Sequence, residues 1–199
     1  MSRVAEDAPA HACPGFRAMV RVTFGVVWAV DAVFKWMPGF RPEILSLVQA
    51  AAKGQPTWLA PWFNFWISVI SAHQGLVATL TALTETAIAL AMIIGFARKT
   101  TYAFSGVFAL LIWSTAEGFG GPYSTGATDI GAAVIYAVAA AILLALNATA
   151  GTSRFSVDAL LERRIPWWKH VAEVGRGSRP QGDRGGSGSA TPQRIAMPS

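Results

Sequence analysis

Apolar residues gather in four stretches, at 18–36, 74–96, 101–117 and 128–148. A helix crossing a bilayer needs roughly 20 residues, within a range near 17–25. Each stretch carries one acid inside it or at its end: Asp31, Glu85, Glu117 and Asp129. A carboxylate at membrane depth costs roughly 2.5 to 3.5 kcal/mol, so it faces a partner, a cavity or a ligand. The pattern predicts an all-α membrane protein, a four-helix transmembrane bundle with a polar site among its helices.

The segment between the first two spans, 37–73, is patterned too. Residues 42–52 are good helix formers behind a proline suited to a first turn, and Gly54 with Pro56 ends them. Trp58, Trp62, Phe63, Phe65 and Trp66 follow, a density of aromatics suited to the membrane interface. The expectation is an extracytoplasmic helical insertion between helices 1 and 2, a re-entrant or surface-lying pair. A fifth crossing ending at His73 would break the charge pattern. Beyond the fourth span, 155–171 reads as one amphipathic helix on the inner surface. Leu160, Leu161, Trp167 and Trp168 form its apolar side, and Arg163, Arg164 and Lys169 its basic side. The expected organisation is an N-terminal segment 1–16, a membrane domain 17–148, an inner-surface helix 149–174 and a disordered tail 175–199 rich in Gly, Ser, Arg and Pro.

Charge sets the orientation. Arg3, Arg17 and Arg21 precede or open the first span, Arg98 and Lys99 separate the second from the third, and Arg154, Arg163, Arg164 and Lys169 follow the fourth. The loop 118–127 has no basic residue, and 37–73 has only Arg41 and Lys53. Both termini are therefore expected in the cytoplasm. The chain is 53% hydrophobic and 14% charged, against about a quarter charged in a soluble domain. Its net charge of +5 sits at span ends and in the tail, which excludes a nucleic-acid surface. Cys13 is the one cysteine, so an intrachain disulfide or paired-thiol chemistry is excluded. The residues before it are interrupted by Glu6, Asp7 and Pro9, unlike a lipoprotein leader or a cleavable signal, and the first span is expected to serve as the targeting signal.

The polar residues define a candidate site. Arg21, Gly25, Trp28 and Lys35 share one stripe of a helix. Asp31 stands four before Lys35, the favourable order for a pair on one face. That pair either neutralises an outer helix end or holds Asp31 ionised in a site. Glu85 stands 12 residues after His73, roughly 18 Å along a helix, near mid-membrane. It either bonds helices together or serves as a proton or ligand site. Trp113 and Glu117 lie one turn apart ahead of a glycine-rich turn. Asp129, with Tyr136 on its stripe, is placed either as a first-turn acid or as a site residue. Asp31, Lys35, His73, Glu117 and Asp129 are expected at the outer ends, with Glu85 beneath. Asp31, Lys35, Glu85 and Glu117 are the candidate catalytic residues, and Trp28, His73, Trp113, Asp129 and Tyr136 the candidate ligand-binding ones. One histidine among carboxylates without tight ligand spacing does not predict a metal site.

On these residues the chain resembles the DoxX/DoxD family of small four-helix membrane proteins, over roughly 17–148. Arg21, Gly25 and Lys35 look like its opening pattern. Glu85, Gly95 and Arg98 look like its second, and Asp129, Gly131 and Tyr136 like its fourth. Ala87 and Ile88 stand where glycines commonly follow the glutamate, and the long insertion 37–73 looks like the DoxD-type subunit. The resemblance implies a bacterial cytoplasmic-membrane protein, a subunit of a quinone-linked oxidoreductase of the thiosulfate:quinone type. It also implies a second subunit or a homo-oligomer as partner. Quinone would be the substrate, since the chain has no haem, flavin or iron–sulfur motif. The competing classes are a transporter of a proton, metal or small solute, and a structural assembly subunit.

Overall fold

The structure, a computed structural model, describes residues 14–123, 129–150 and 156–174. Cys13, Thr128 and the tail 175–199 lie outside them. All regular structure among the described residues is helical. Helix α1 spans Pro14–Trp36, α2 Phe40–Ala52, α3 Ala60–Ile94, α4 Arg98–Thr115, α5 Ala132–Ala150, α6 Val157–Arg164 and α7 Lys169–Ala172.

Helix α1 packs along α3, and α4 along α5. One core draws on all four: Trp28 from α1, Ile88, Ala89 and Met92 from α3, Tyr102 and Ala109 from α4, and Leu143 from α5. Small residues set the approach. A methyl group at Gly25 would meet Met92 and Ile93 of α3 at 2.9 to 3.1 Å, so only glycine lets α1 come this close. Of the stripe Arg21, Gly25, Trp28 and Lys35, the first three are buried and Lys35 is partly exposed.

The expected break at His73 is a kink instead. Helix α3 runs through it for 35 residues, with His73 alone off helical geometry at φ −137° and ψ 38°. No proline interrupts 62–94, so the hydrogen-bond ladder resumes on the far side. The side-chain amide of Gln74 donates to the carbonyls of Arg41 and Pro42 at 2.9 and 3.0 Å, which pins the start of α2 at the kink. The expected helix pair is therefore α2 and the first half of α3, and its second member is continuous with the next long helix. The pair has its own core of Ile44, Val48, Phe63 and Ile70, joined by Ala78 from beyond the kink. The aromatic run is split by this packing: Phe63 is buried and Trp58 is exposed.

Two other expectations change. Helix α5 starts at Ala132, not near 128, and the expected single helix over 155–171 is three short pieces. Proline at 166, which donates no hydrogen bond, follows the end of α6 at Arg164. The pieces fold back onto the turn between α3 and α4, where Asp158 is fully buried. Its Oδ1 accepts from Ala97 N at 2.7 Å and from Trp168 Nε1 at 2.9 Å. Its Oδ2 accepts from Arg98 N at 3.0 Å and Arg98 Nε at 2.9 Å. The carboxylate thus caps α4 and pairs with the buried Arg98 in one stroke. Nearby, the Arg21 guanidinium donates to the carbonyls of Met92 and Ile93, a cation at the carboxyl end of α3.

Candidate functional site

Lys35 joins two acids. Its ammonium donates to Asp31 Oδ1 at 2.8 Å and lies 3.6 Å from Glu85 Oε2. The first contact is the i, i+4 pair on α1. The second crosses to α3 because the two helices pack closely at Gly25. Exposure falls along the chain of charges: the side chains of Asp31 and Lys35 are 30% and 19% exposed, and that of Glu85 is 0%. Neither oxygen of Glu85 has a hydrogen bond. A buried carboxylate with one long ion pair and no hydrogen bond is a costly group, and such groups persist where function requires them.

Glu85 and Lys35 line a cavity of about 540 Å³. Its walls are chiefly apolar: Phe40, Ile44 and Val48 from α2, Trp66 and Ile70 from α3, and Phe108 and Ile112 from α4. Thr81, one turn from Glu85, and Thr115 add hydroxyls. Trp66 contributes a second unsatisfied polar atom, since its Nε1–H is buried without an acceptor. The cavity therefore combines an apolar body, the bare acid of Glu85, the exposed acid of Glu43, one ammonium and one free N–H donor. That is an apolar pocket with a few polar groups placed to orient a small molecule.

The other candidates are placed around this centre rather than in it. Glu117 lines the cavity, but both its oxygens accept from Ala133 N, at 3.1 and 3.0 Å. Glu117, from the end of α4, thus does at the start of α5 what Asp129 is expected to do. Gly131, at φ +90°, makes this reach possible, because a Cβ there would meet Glu117 Oε2 and Trp113. Asp129 is exposed and accepts from Gly131 N at 2.8 Å, a local turn outside the helix. Trp113 donates to the Ile130 carbonyl at 2.8 Å and holds the same loop. Trp28 and Tyr136 stack edge to face at 5.1 Å, and Trp28 meets the cavity-lining Phe108 at 6.3 Å. They buttress the site from behind. His73 is exposed at the kink and joins no cluster. Among the described residues no three His, Cys, Asp or Glu side chains gather in a metal-binding arrangement.

Trp66, Ile44 and Val48 escape a reading of the sequence. Trp66 is indistinguishable there from its interfacial neighbours, and α2 is apolar in pattern without chemistry of its own. Thr81 leaves a trace, being one turn from Glu85 on the inward stripe. No protein-family model matches the chain, and no curated protein or solved structure matches it.

Proposed function

We propose that this chain is a four-helix membrane protein with both termini in the cytoplasm, whose cavity takes up the headgroup of a membrane quinone. On this reading it is the membrane subunit of a quinone-linked oxidoreductase of the DoxX/DoxD kind. The observation that carries the proposal is the apolar cavity holding a hydrogen-bond-free Glu85 beside Lys35, with the unpaired Trp66 N–H in its wall.

Membrane placement is supported by an inverted distribution of side chains. Val26, Val30 and Val33 of α1, Leu76, Leu80, Leu83 and Leu90 of α3, Val107 and Leu110 of α4, and Ile135, Val138 and Ile142 of α5 are exposed. Arg21, Glu85, Arg98 and Ser105 are buried. One helical stretch among the described residues, Thr57–Ile94, is long and apolar enough to cross a membrane by length and composition. Only 33% of its most apolar window is buried, unlike the core helix of a soluble protein. Helices α1, α4 and α5 have 23, 18 and 19 residues, hence lengths of about 34, 27 and 28 Å against a hydrocarbon core of about 30 Å.

Chemically, a quinone takes two electrons and two protons to become a quinol. Lys35 would stabilise negative charge developing on one quinone oxygen, Glu85 would deliver a proton to it, and the second proton would come from water at the cavity mouth. Trp66 would hold the other carbonyl as a donor. The resemblance makes the electron donor a reduced sulfur compound at the outer face. With thiosulfate, two molecules join through a new S–S bond as tetrathionate, and the two electrons released reduce one quinone. The test is binding. Titrating a short-chain ubiquinone into the purified protein in nanodiscs should quench tryptophan fluorescence saturably. Glu85→Leu and Trp66→Phe should each weaken binding about tenfold, the loss of one hydrogen bond involving a charged or buried group. Binding equal in wild type and both variants would refute the proposal.

A further inference from the structure

Beside the first cavity lies a groove of about 320 Å³, and Lys35 stands in the wall between the two. Trp36, Met37 and Arg41 line one side of this groove, and Ala78, Thr79 and Ala82 of α3 line the other. We propose that it holds one phospholipid of the outer leaflet by its phosphate, with Arg41 as the principal anion-binding group. The inference rests on the membrane placement above but not on the quinone.

Arg41 is in the first turn of α2 and exposed. Among the described residues its side chain makes one hydrogen bond, Nη2 donating to Thr79 Oγ1 at 3.2 Å, and it enters no ion pair. A guanidinium carries five N–H donors in a fixed fork, so most of them remain for an oxyanion. Lys35 adds positive charge at the same wall, although its closest partner is Asp31. A guanidinium without a carboxylate partner pairs bidentately with phosphate, and at the edge of a bilayer the lipid headgroups supply it. The body of the groove points to a lipid rather than to a free anion. Met37, Pro38, Ala78 and Ala82 make it apolar, and the adjacent Leu80 and Leu83 are exposed along the same helix. A phosphate at Arg41 with an acyl chain running down past Leu80 and Leu83 satisfies both ends.

The experiment is native mass spectrometry of the full chain released from nanodiscs of phosphatidylethanolamine and phosphatidylglycerol. Wild type should retain one phospholipid at a detergent concentration that strips the rest. Arg41→Gln should lower this retention about tenfold, Arg41→Lys should restore part of it, and Arg164→Gln, on the opposite end of the molecule, should leave it unchanged. Equal retention by Arg41→Gln and wild type would overturn the proposal. So would displacement of the lipid by millimolar glycerophosphate, which would make the groove a site for free oxyanions. A chain that stays dispersed without detergent and carries no lipid would overturn the membrane placement itself, an outcome distinct from loss of this one site.

Discussion

Replacing Asp158 with asparagine tests the packing of the carboxyl-terminal pieces against the helices. The carboxylate is fully buried and accepts four hydrogen bonds, two at each oxygen. Asparagine keeps the shape but turns one oxygen into a donor. In one orientation the new amide faces Arg98 N and Nε, and in the other it faces Ala97 N and Trp168 Nε1. Either way two donors lose their acceptor. Arg98, itself buried, is left with Glu162 at 3.8 Å as its nearest acid. Breaking a buried, hydrogen-bonded ion pair by removing one partner costs about 3–5 kcal/mol. For a chain of this size each kcal/mol moves the melting point by roughly 2–4 °C, so Asp158→Asn should lower Tm by roughly 10 °C. The assay is thermal unfolding in detergent, with hydrogen exchange to locate the loss at Ala97 to Thr101. The double variant Asp158→Asn/Arg98→Leu should cost less than the sum of the single changes, because the orphaned charge is gone. A Tm within about 2 °C of wild type, or strict additivity in the cycle, would refute the reasoning.

Four further outcomes are expected. Glu117→Ala should destabilise by about 1–2 kcal/mol, since it strips the acceptor from Ala133 N and the negative charge from the start of α5; the loss should show as faster exchange in the first turn of α5 while Asp129→Ala changes little. Gly25→Ala should cost about 1–3 kcal/mol by forcing α1 off α3, read as a lowered midpoint of unfolding, and should also weaken quinone binding by moving Lys35 away from Glu85. In a background lacking Cys13, Tyr123→Cys should react with a membrane-impermeant maleimide added to whole cells and Arg164→Cys should not; the opposite pattern would invert the topology. Glu85→Leu should leave folding nearly intact, because it removes a buried charge without orphaning a hydrogen bond, yet abolish quinone reduction; a folding collapse would show that Glu85 ties helices together instead.

What could be read from the sequence depended on how far apart the interacting residues lie. Asp31 and Lys35 are four apart on one helix, so their pairing follows from helical geometry alone. That Arg21, Gly25 and Trp28 share a face follows equally from their period, and the structure buries that face. Glu85 needed one more step: its depth marked it as requiring a partner, and the sequence does not name which. The structure supplies Lys35, 50 positions away, through the close approach at Gly25. Beyond that reach the sequence misleads. Glu117 and Asp129 compete for the amino end of α5, and spacing favours Asp129, the nearer in sequence. Gly131 at positive φ leaves the space that lets Glu117 reach Ala133 N. Asp158 is the extreme case. In sequence it is one more charge in a polar segment that looks like a surface helix. Its four donors lie 60 and 61 residues before it and 10 residues after it.

The same contrast bears on what the acids do. Of the buried or half-buried carboxylates, Asp158 accepts two backbone N–H groups and two side-chain donors, and Glu117 accepts the Ala133 N–H with both oxygens, so each caps a helix. Their charge is spent on the fold. Glu85 caps nothing and accepts no hydrogen bond, although Thr81 and Thr84 stand on its own helix nearby. Thr86, its immediate neighbour, donates back to the Ala82 carbonyl and accepts from Trp36 at 3.0 Å, so even that hydroxyl is committed elsewhere. A carboxylate kept only to join helices would gain from any of these donors, and the cost of leaving it bare in an apolar wall is large. An acid that faces a cavity, beside a single ammonium that it shares with a second acid, is in the arrangement that leaves its proton and its lone pairs available to something else. That difference between carboxylates that cap a helix and one that caps nothing is why the proposed quinone chemistry is assigned to Glu85 and stability to Asp158 and Glu117.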